Sequence, residues 1–494
     1  LKTGNAPTVD GEYDHAIMNE ILDQLPCPPY QHQREAIPLL VDKNYFCLAD
    51  IMGAGKSATT LFAWFVLYKR DGYSKFLILC QKRAMQQWAD YIDKFTPEFT
   101  HQIIDGPKVR RNKQWQVPVN IYITNVEKIL VDSDVITTVN WDAVCVDEAS
   151  YYIKNFKAKT SRHVYKIRAK KKYCLTGTPL ENTIEDLFGI FRFLNWDVFG
   201  SYFSFKEKYL VMKKQTIWNK YKKRKMEFEV VEGFKNLDEL KERIAPFYLR
   251  RTDDDILDDM PKLVIEDLLI PLNPKHLGLY KGLKEKTLEQ LYVEYGVSMK
   301  DKRIKLIRLC GHSSLVFPDT NESTKLETLL SLVDENKHRK ILIFSQWADI
   351  VKIISDSLKD TPHNVMVGGG SKWKFNRALD DGVEVAEFRD KNNIMVATDS
   401  LSRSADLPWV EMIINFDLPW NPATIKQRIT RARRLSSTNK RIYVFNLVTK
   451  DTIESKVLPI LQRKMDLFSD IIDNNEFNEQ KMEQFNLIKL LEDE

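Results

Sequence analysis

Several groups of residues in this chain have the types and spacing for phosphate chemistry. In LADIMGAGKSATT (48–60), Gly53, Ala54 and Gly55 precede Lys56 and Ser57. Glycines let the backbone curl without a Cβ clash, so successive N–H groups can face phosphate oxygens at a helix N-terminus. Lys56 would then reach the β and γ phosphates, and Ser57 would offer a hydroxyl to Mg²⁺. Asp50 stands where the GxxxxGKS pattern has its first glycine. In VCVDEAS (144–150) an apolar strand delivers Asp147 to its polar end, where a carboxylate can hold Mg²⁺ through water. Adjacent Glu148 can orient and deprotonate an attacking water. Far downstream, RITRARRLSS (428–437) crowds Arg428, Arg431, Arg433 and Arg434 together. That crowding suits a solvated helix face, a nucleic-acid patch, or service to the phosphate chemistry encoded earlier in the chain.

These residues need a scaffold, and the hydrophobic pattern supplies one. Short apolar runs recur: YFCLAD, KFLILC, NIYIT, DAVCVDE and KKYCLTG, then KILIFS, NIMVATDS, EMIINFD and RIYVFNLV. Segments long enough for helices lie between most of them, such as SATTLFAWFVLYKR and MQQWADYIDKF. Strand, helix, strand alternation predicts an α/β fold with parallel sheets covered on both faces. The runs group into 40–180 and 338–450, which predicts two α/β domains. Between them the pattern turns helical and charged, as in 206–225 and 275–295. The 494 residues carry a formal charge of only +5, so a basic surface must come from local clustering. Cys27, Cys47, Cys80, Cys145, Cys174 and Cys310 show no metal-ligand spacing and mostly sit in apolar runs, as buried reduced thiols do. No apolar stretch approaches the ~20 residues that span a bilayer, and the first residues lack a signal-peptide core. A soluble intracellular protein is expected, in cytoplasm or nucleus alike.

Further segments fall in a telling order. LTGTPLEN (175–182) extends a Thr-Gly-Thr turn with Leu180 and Asn182. PYQHQREAI (29–37), LILCQK (77–82) and YITNVE (122–127) accompany it, and FYLRRTDDDILDDMPK (247–262), KILIFSQW (340–347), ATDSLSRSADL (397–407), FDLPWNP (416–422) and QRITRARRLSS (427–437) follow. Together, over about residues 28–460, this series resembles the SWI/SNF-like branch of superfamily 2 helicases. The resemblance implies two RecA-like parallel-sheet domains in tandem, with helical insertions and a C-terminal helical segment. Its boundaries are an N-terminal extension (1–27), a first motor domain (28–200), a helical, partly basic insertion and hinge (201–320), a second motor domain (321–465) and a helical tail (466–494).

The same resemblance implies ATP and Mg²⁺ as cofactors. Gln33 matches the adenine-reading glutamine; Gly53, Ala54, Gly55, Lys56, Ser57 and Asp147 complete the nucleotide site, with Ser57 and Asp147 serving the metal. The catalytic set becomes Lys56, Asp147, Glu148, Gln427, Arg431 and Arg434, the last two as arginine fingers. A guanidinium is permanently charged and forked, suited to charge developing on a γ-phosphate, and can contribute ~10³ or more to turnover. Since the fingers come from the other domain, hydrolysis would require closure, and closure would turn ATP consumption into movement. Arg428 and Arg433 are expected to face solvent or the nucleic-acid backbone. The chain departs from the family at Ile51, Ala54 and Gln81. It also departs at Asp253, and most of all in motif V, where Ser400, Leu401, Ser402 and Arg403 replace a glycine-rich stretch; Asp399 and Arg403 could supply substitute contacts.

A translocase holds phosphates without reading bases, so scattered donors are expected instead of a recognition helix. Lys82, Thr124, Asn125, Ser345, Gln346, Ser371, Arg403 and Trp420 occupy suitable positions. The stretch 206–225, interleaving Lys and Arg with Tyr209, Trp218 and Tyr221, suits a DNA-facing protrusion or a plain solvated helix. The expected function is an ATP-driven translocase on duplex or branched DNA, in repair, recombination, fork or branch remodelling. Alternatives are a strand-separating helicase on RNA or DNA, and a weakened ATPase serving as a nucleic-acid binding or assembly module. No membrane contact is expected, and no protein partner is indicated.

Overall fold

The computed structural model describes residues 12–177, 179, 184–219, 224–252, 255, 260–286, 299–368, 381–401, 406–459 and 461. Two compact units divide between Ile256 and Leu257, the second ending at Met465. This division falls inside the segment expected to form a separate insertion.

In the first unit, β1 (Tyr45–Leu48), β2 (Phe76–Cys80), β3 (His101–Ile104), β4 (Ile121–Asn125), β5 (Trp141–Val146) and β6 (Ala169–Leu175) come in sequence. An antiparallel hairpin follows, β7 (Leu210–Asn219) with β8 (Arg224–Phe234), and then the two-residue β9 (Tyr248–Leu249). Apart from the hairpin, these strands form one parallel sheet in the order β3-β4-β2-β5-β6-β1-β9. Successive residues of the central strands feed opposite cores. Leu77, Leu79, Val144, Val146 and Cys174 pack on one face, and Phe76, Ile78, Cys80, Cys145 and Tyr173 pack on the other. This two-sided burial is why those runs are continuously apolar. Each large side chain contributes roughly 1.5–3 kcal/mol.

The second unit repeats the plan with β10 (Lys262–Ile270), β11 (Ile341–Ser345), β12 (His363–Met366), β13 (Ile394–Thr398), β14 (Met412–Asn415) and β15 (Arg441–Thr449). They form a parallel sheet in the order β10-β15-β14-β11-β13-β12. Ile341, Ile343, Val396 and Ile414 face one core, and Leu342, Phe344, Met395 and Ile413 face the other. The α/β class with two parallel sheets is therefore as expected. All nine apolar runs are strands, and the two quoted helical segments lie in helices Lys56–Asp71 and Ala84–Phe95.

The segment 201–320, expected as a helical, partly basic insertion and hinge, carries strands as well as helices. Helix Tyr202–Tyr209 stops where the hairpin begins, and β10 joins the second sheet. In RKMEFEVVEGF apolar and acidic residues alternate with period two, a strand signal that outweighs the lysine-rich composition. Five of the cysteines are buried as free thiols and Cys27 is half-buried. Among the described residues no helix is long and apolar enough to cross a membrane. Leu180, Asn182, Asp253, Ser371, Ser402, Arg403 and the segment 466–494 lie outside the described residues.

Candidate nucleotide site and arginine cluster

The expected phosphate loop leaves the end of β1 and runs into helix Lys56–Asp71. Gly53 (φ 86°) and Gly55 (φ 76°) hold left-handed conformations, which side chains adopt only with strain. Gly55 immediately precedes the helix, so the loop ends at the positive pole of a four-turn dipole. Lys56 Nζ donates to the carbonyls of Asp50 (2.8 Å) and Ile51 (2.9 Å), keeping the ammonium over the loop. Ser57 lies half-buried in the first turn. Met52 packs so tightly on Gly177 that a Cβ at position 177 would lie 2.2 Å from Met52 Cγ. The Thr-Gly-Thr turn requires its glycine for that approach.

Helix Gln31–Asp42 braces the loop from another side. His32 Nε2 lies 3.0 Å from the Ala54 carbonyl, and Gln33 Nε2 donates to Gly55 O at 3.2 Å. Gln33 Oε1 accepts from Tyr30 N at 2.9 Å. The glutamine expected to read adenine is thus 2% exposed and bonds the chain with both ends of its amide. Asp50, at the missing-glycine position, is 1% exposed and anchors Arg251. Arg251 donates to Asp50 Oδ1 from Nε (3.1 Å) and from its backbone N–H (3.0 Å), and to Oδ2 from Nη2 (2.5 Å). Its Nη1 also donates to His32 O. Arg250 Nη1 reaches Ala49 O (3.3 Å) and Gly177 O (3.4 Å), while backbone bonds join Ala49 to Leu249 and Ile51 to Arg251. The two arginines after β9 therefore tie phosphate loop, glutamine helix and Thr-Gly-Thr turn into one network.

Asp147 follows β5, two strands along from β1. Its Oδ1 accepts from Glu148 N (3.0 Å), and its Oδ2 accepts from Trp88 Nε1 (2.9 Å). Glu148, the expected base, adopts φ 49° and ψ 48°. Left-handed backbone at a non-glycine residue costs about 1–3 kcal/mol and is characteristic of functional positions. Ser150 and Thr176 share a buried hydroxyl–hydroxyl bond of 2.8 Å, linking the Asp-Glu segment to the Thr-Gly-Thr turn. The site's charges are felt in the sheet. Burial pushes the Cys80 and Cys145 thiols up and the Asp147 charge adds to it, whereas burial raises Cys47 to about 12 against the pull of Lys56.

In the second unit Asn421 caps helix Pro422–Ile429 by accepting from Ala423 N at 3.0 Å, with Pro422 in the first turn. This helix places Gln427, buried, and leads into the arginine cluster. Arg431 and Arg434 converge on Asp406, at 3.9 Å and 2.5 Å. Arg428 and Arg433, expected at solvent or on nucleic acid, are buried instead. Arg428 is 0% exposed and donates to Asp399 Oδ1 (2.6 Å), Asn415 Oδ1 (3.0 Å) and Asp417 O (2.9 Å). Arg433 Nε donates to Pro261 O at 2.9 Å. Both guanidiniums are fastened to backbone or acid, which is what permits their burial. Asp399, expected to replace lost contacts in motif V, is bonded to Arg428.

The expected DNA donors divide. Lys82 is exposed and lies 3.3 Å from Asp105, and Gln346 is half-buried with Nε2 donating to Leu418 O at 3.0 Å. Thr124, Asn125 and Ser345 are buried, which corrects the expectation that their side chains offer surface donors. Thr124 donates to Ile104 O (3.4 Å), Asn125 accepts from Glu127 N (2.7 Å), and Ser345 donates to Asp417. Trp420 packs partly against Leu418, Val448, Val457 and Leu461. Trp88, Asp406 and Asp417 escaped sequence reasoning, as did the partners of Asp50, Arg250 and Arg251. Only the missing glycine at position 50 and the paired arginines at 250–251 offered a signal, and neither named its partner.

A family model described as "SNF2-related domain" matches residues 32–324, and one described as "Helicase conserved C-terminal domain" matches 324–436. Among curated relatives, the "Putative ATP-dependent helicase/translocase YwqA" of Bacillus subtilis (strain 168) is 26% identical over 482 residues, 92% of this chain and 50% of its own length. The "ISWI chromatin-remodeling complex ATPase ISW2" of Saccharomyces cerevisiae is 24% identical over 455 residues, 85% of this chain and 38% of its own. The chain spans half or less of the length of these relatives. The solved Sulfolobus solfataricus SWI2/SNF2 ATPase core in complex with dsDNA aligns at TM-score 0.43 with 26% identity, covering 91% of this chain and 94% of that one. The first family match opens in the helix that braces the phosphate loop and extends through more than half of the 494 residues, so the chain belongs to the SNF2-related family.

Proposed function

We propose that this chain binds ATP with Mg²⁺ in its first unit and hydrolyses it to drive movement along duplex or branched DNA. The observation that carries this reading is the connected set of strand-end motifs. A glycine loop at a helix N-terminus is joined through Gly177 and Met52, and through Ser150 and Thr176, to the carboxylates at the end of β5. The donor set fits the cofactor: left-handed glycines and Lys56 for phosphate oxygens, Ser57 and Asp147 for a hard cation.

In this reading Lys56 exchanges the carbonyls of Asp50 and Ile51 for phosphate oxygens, and Glu148 orients the attacking water. Gln427, Arg431 and Arg434 supply the nucleotide-facing groups of the second unit. Mg²⁺, when bound, neutralises charge on the phosphates. Lys82, Gln346 and half-buried Trp420 are the candidates for DNA contacts among the described residues, and Ser371 and Arg403, outside them, stay in the proposal. A role in repair, recombination, or fork or branch remodelling belongs to this proposal, as does an intracellular location.

The test is the ATPase rate with no nucleic acid, single-stranded DNA, duplex, four-way junction and RNA. Duplex or junction should stimulate strongly, and Lys56→Ala or Arg434→Ala should abolish the response. Equal rates under every condition would rule out coupling to nucleic acid. Tight DNA binding without hydrolysis would favour an assembly module instead, and strand displacement from forked or blunt duplexes of DNA or RNA a strand-separating helicase.

A further inference from the structure

Two tryptophans of the same core differ in one respect. Trp64 and Trp88 are both almost fully buried, at 0% and 2% exposure, in the core behind β2. Trp64 stacks on Phe76 at 4.8 Å between ring centroids, and among the described residues its indole nitrogen has no hydrogen-bond partner. Trp88, on helix Ala84–Phe95, directs its N–H at Oδ2 of Asp147, 2.9 Å away and fifty-nine residues along the chain.

A carboxylate at the end of a strand turns readily about its terminal bond, because that torsion has broad minima. In Asp147 both oxygens are engaged by different donors, Glu148 N on Oδ1 and Trp88 Nε1 on Oδ2, which defines the plane of the group. One donor is backbone and local. The other is a rigid ring, 2% exposed in the core it shares with Met85, Ala89 and Ile92, on a helix that starts four residues after β2, the strand beside β5. The indole thus carries the position of the helix onto the carboxylate. Hydrogen bonds to a metal-binding carboxylate typically govern metal affinity by 10–100-fold.

We propose that Trp88 is a positioning residue that orients the Asp147 carboxylate and so sets the affinity of the site for the divalent cation accompanying the nucleotide. This rests on the nucleotide reading given above. The test uses the full chain with Trp88→Phe, Trp64→Phe as the matched loss of a buried indole, and a sulfur isostere of tryptophan at position 88 that keeps ring volume but has no N–H. Mn²⁺ binding in the presence of ADP is followed by electron paramagnetic resonance, and the Mg²⁺ midpoint of ATP hydrolysis is measured alongside. The position-88 variants should weaken Mn²⁺ binding and raise the Mg²⁺ midpoint by about tenfold or more. Turnover at saturating Mg²⁺ should recover and ADP affinity in EDTA should be unchanged, while Trp64→Phe leaves the midpoint in place. Equal shifts in Trp64→Phe and Trp88→Phe, or a normal midpoint with the isostere, overturns the proposal. If wild-type chain binds nucleotide and cation independently, the nucleotide reading itself fails, a result separate from either variant outcome.

Discussion

Glu148 and Asp50 show how single residues carry more than their motif assigns. Glu148 sits in a left-handed conformation beside the acid it follows, so its carboxylate direction is set by backbone and not by a rotamer choice alone. Glu148→Gln preserves size and backbone strain but removes the base. Nucleotide binding, measured with a fluorescent ADP analogue, should be retained while turnover falls by about 10²–10⁴; unchanged turnover would remove Glu148 from the role. Asp50 and Arg251 form a buried pair with backbone support on both sides. Arg251→Ala would strand the carboxylate and should cost roughly 3–5 kcal/mol in denaturant unfolding of the first unit. Asp50→Ala combined with Arg251→Ala should recover part of that loss, since no uncompensated charge is left; strict additivity of the two single losses would count against the pair.

At the scale of elements, capping and burial decide how the second unit presents its arginines. The Asn421 side chain fixes the first turn of helix Pro422–Ile429. Asn421→Ala should lower stability by about 1 kcal/mol and depress ATPase activity, because Gln427 and Arg428 ride on that helix. Helix Pro274–Glu285 packs His276 fully inside, with Nε2 2.6 Å from Leu309 O and no hydrogen-bond partner for Nδ1 among the described residues. Burial pushes this imidazole below its ordinary range against the pull of the Leu309 carbonyl, and His312 is likewise pushed down by burial and by the neighbouring His276. A depressed folded-state value means the unfolded chain takes up protons first as pH falls. The stabilisation is therefore complete above the ordinary histidine value of about 6.5 and declines below it. Melting temperature should fall between pH 7.5 and 5.5, and His276→Gln should flatten that slope while lowering stability at neutral pH. The sequence also shows its reach here. Central strands were legible because burial on both faces makes them continuously apolar. The edge strands β3 (HQII) and β12 (HNVM) were not, being short and partly polar. The hairpin was obscured because lysine-rich composition flanks its period-two alternation and is equally compatible with a solvated helix.

For the whole molecule, the proposed function requires the two α/β units of this chain to act together on a nucleic acid. If hydrolysis is coupled to duplex engagement, the duplex concentration for half-stimulation should rise steeply with salt, as phosphate contacts demand. Arg434→Ala should leave that duplex affinity within about twofold, since its assigned target is nucleotide, yet reduce stimulated turnover by ~10³. Loss of duplex binding in that variant would instead place Arg434 in the DNA contact. By itself, the sequence determined the class of fold, the order of the motifs and the glycines that shape the loop after β1. Those features depend on residues adjacent in the chain and on the period of burial. Only tertiary structure decided which partner each charge finds: Asp50 the Arg251 guanidinium, Asp147 the Trp88 indole N–H, and Arg428 the Asp399 carboxylate. Such pairs join residues dozens to hundreds of positions apart, and it is desolvation on folding that compels each buried charge to find a partner.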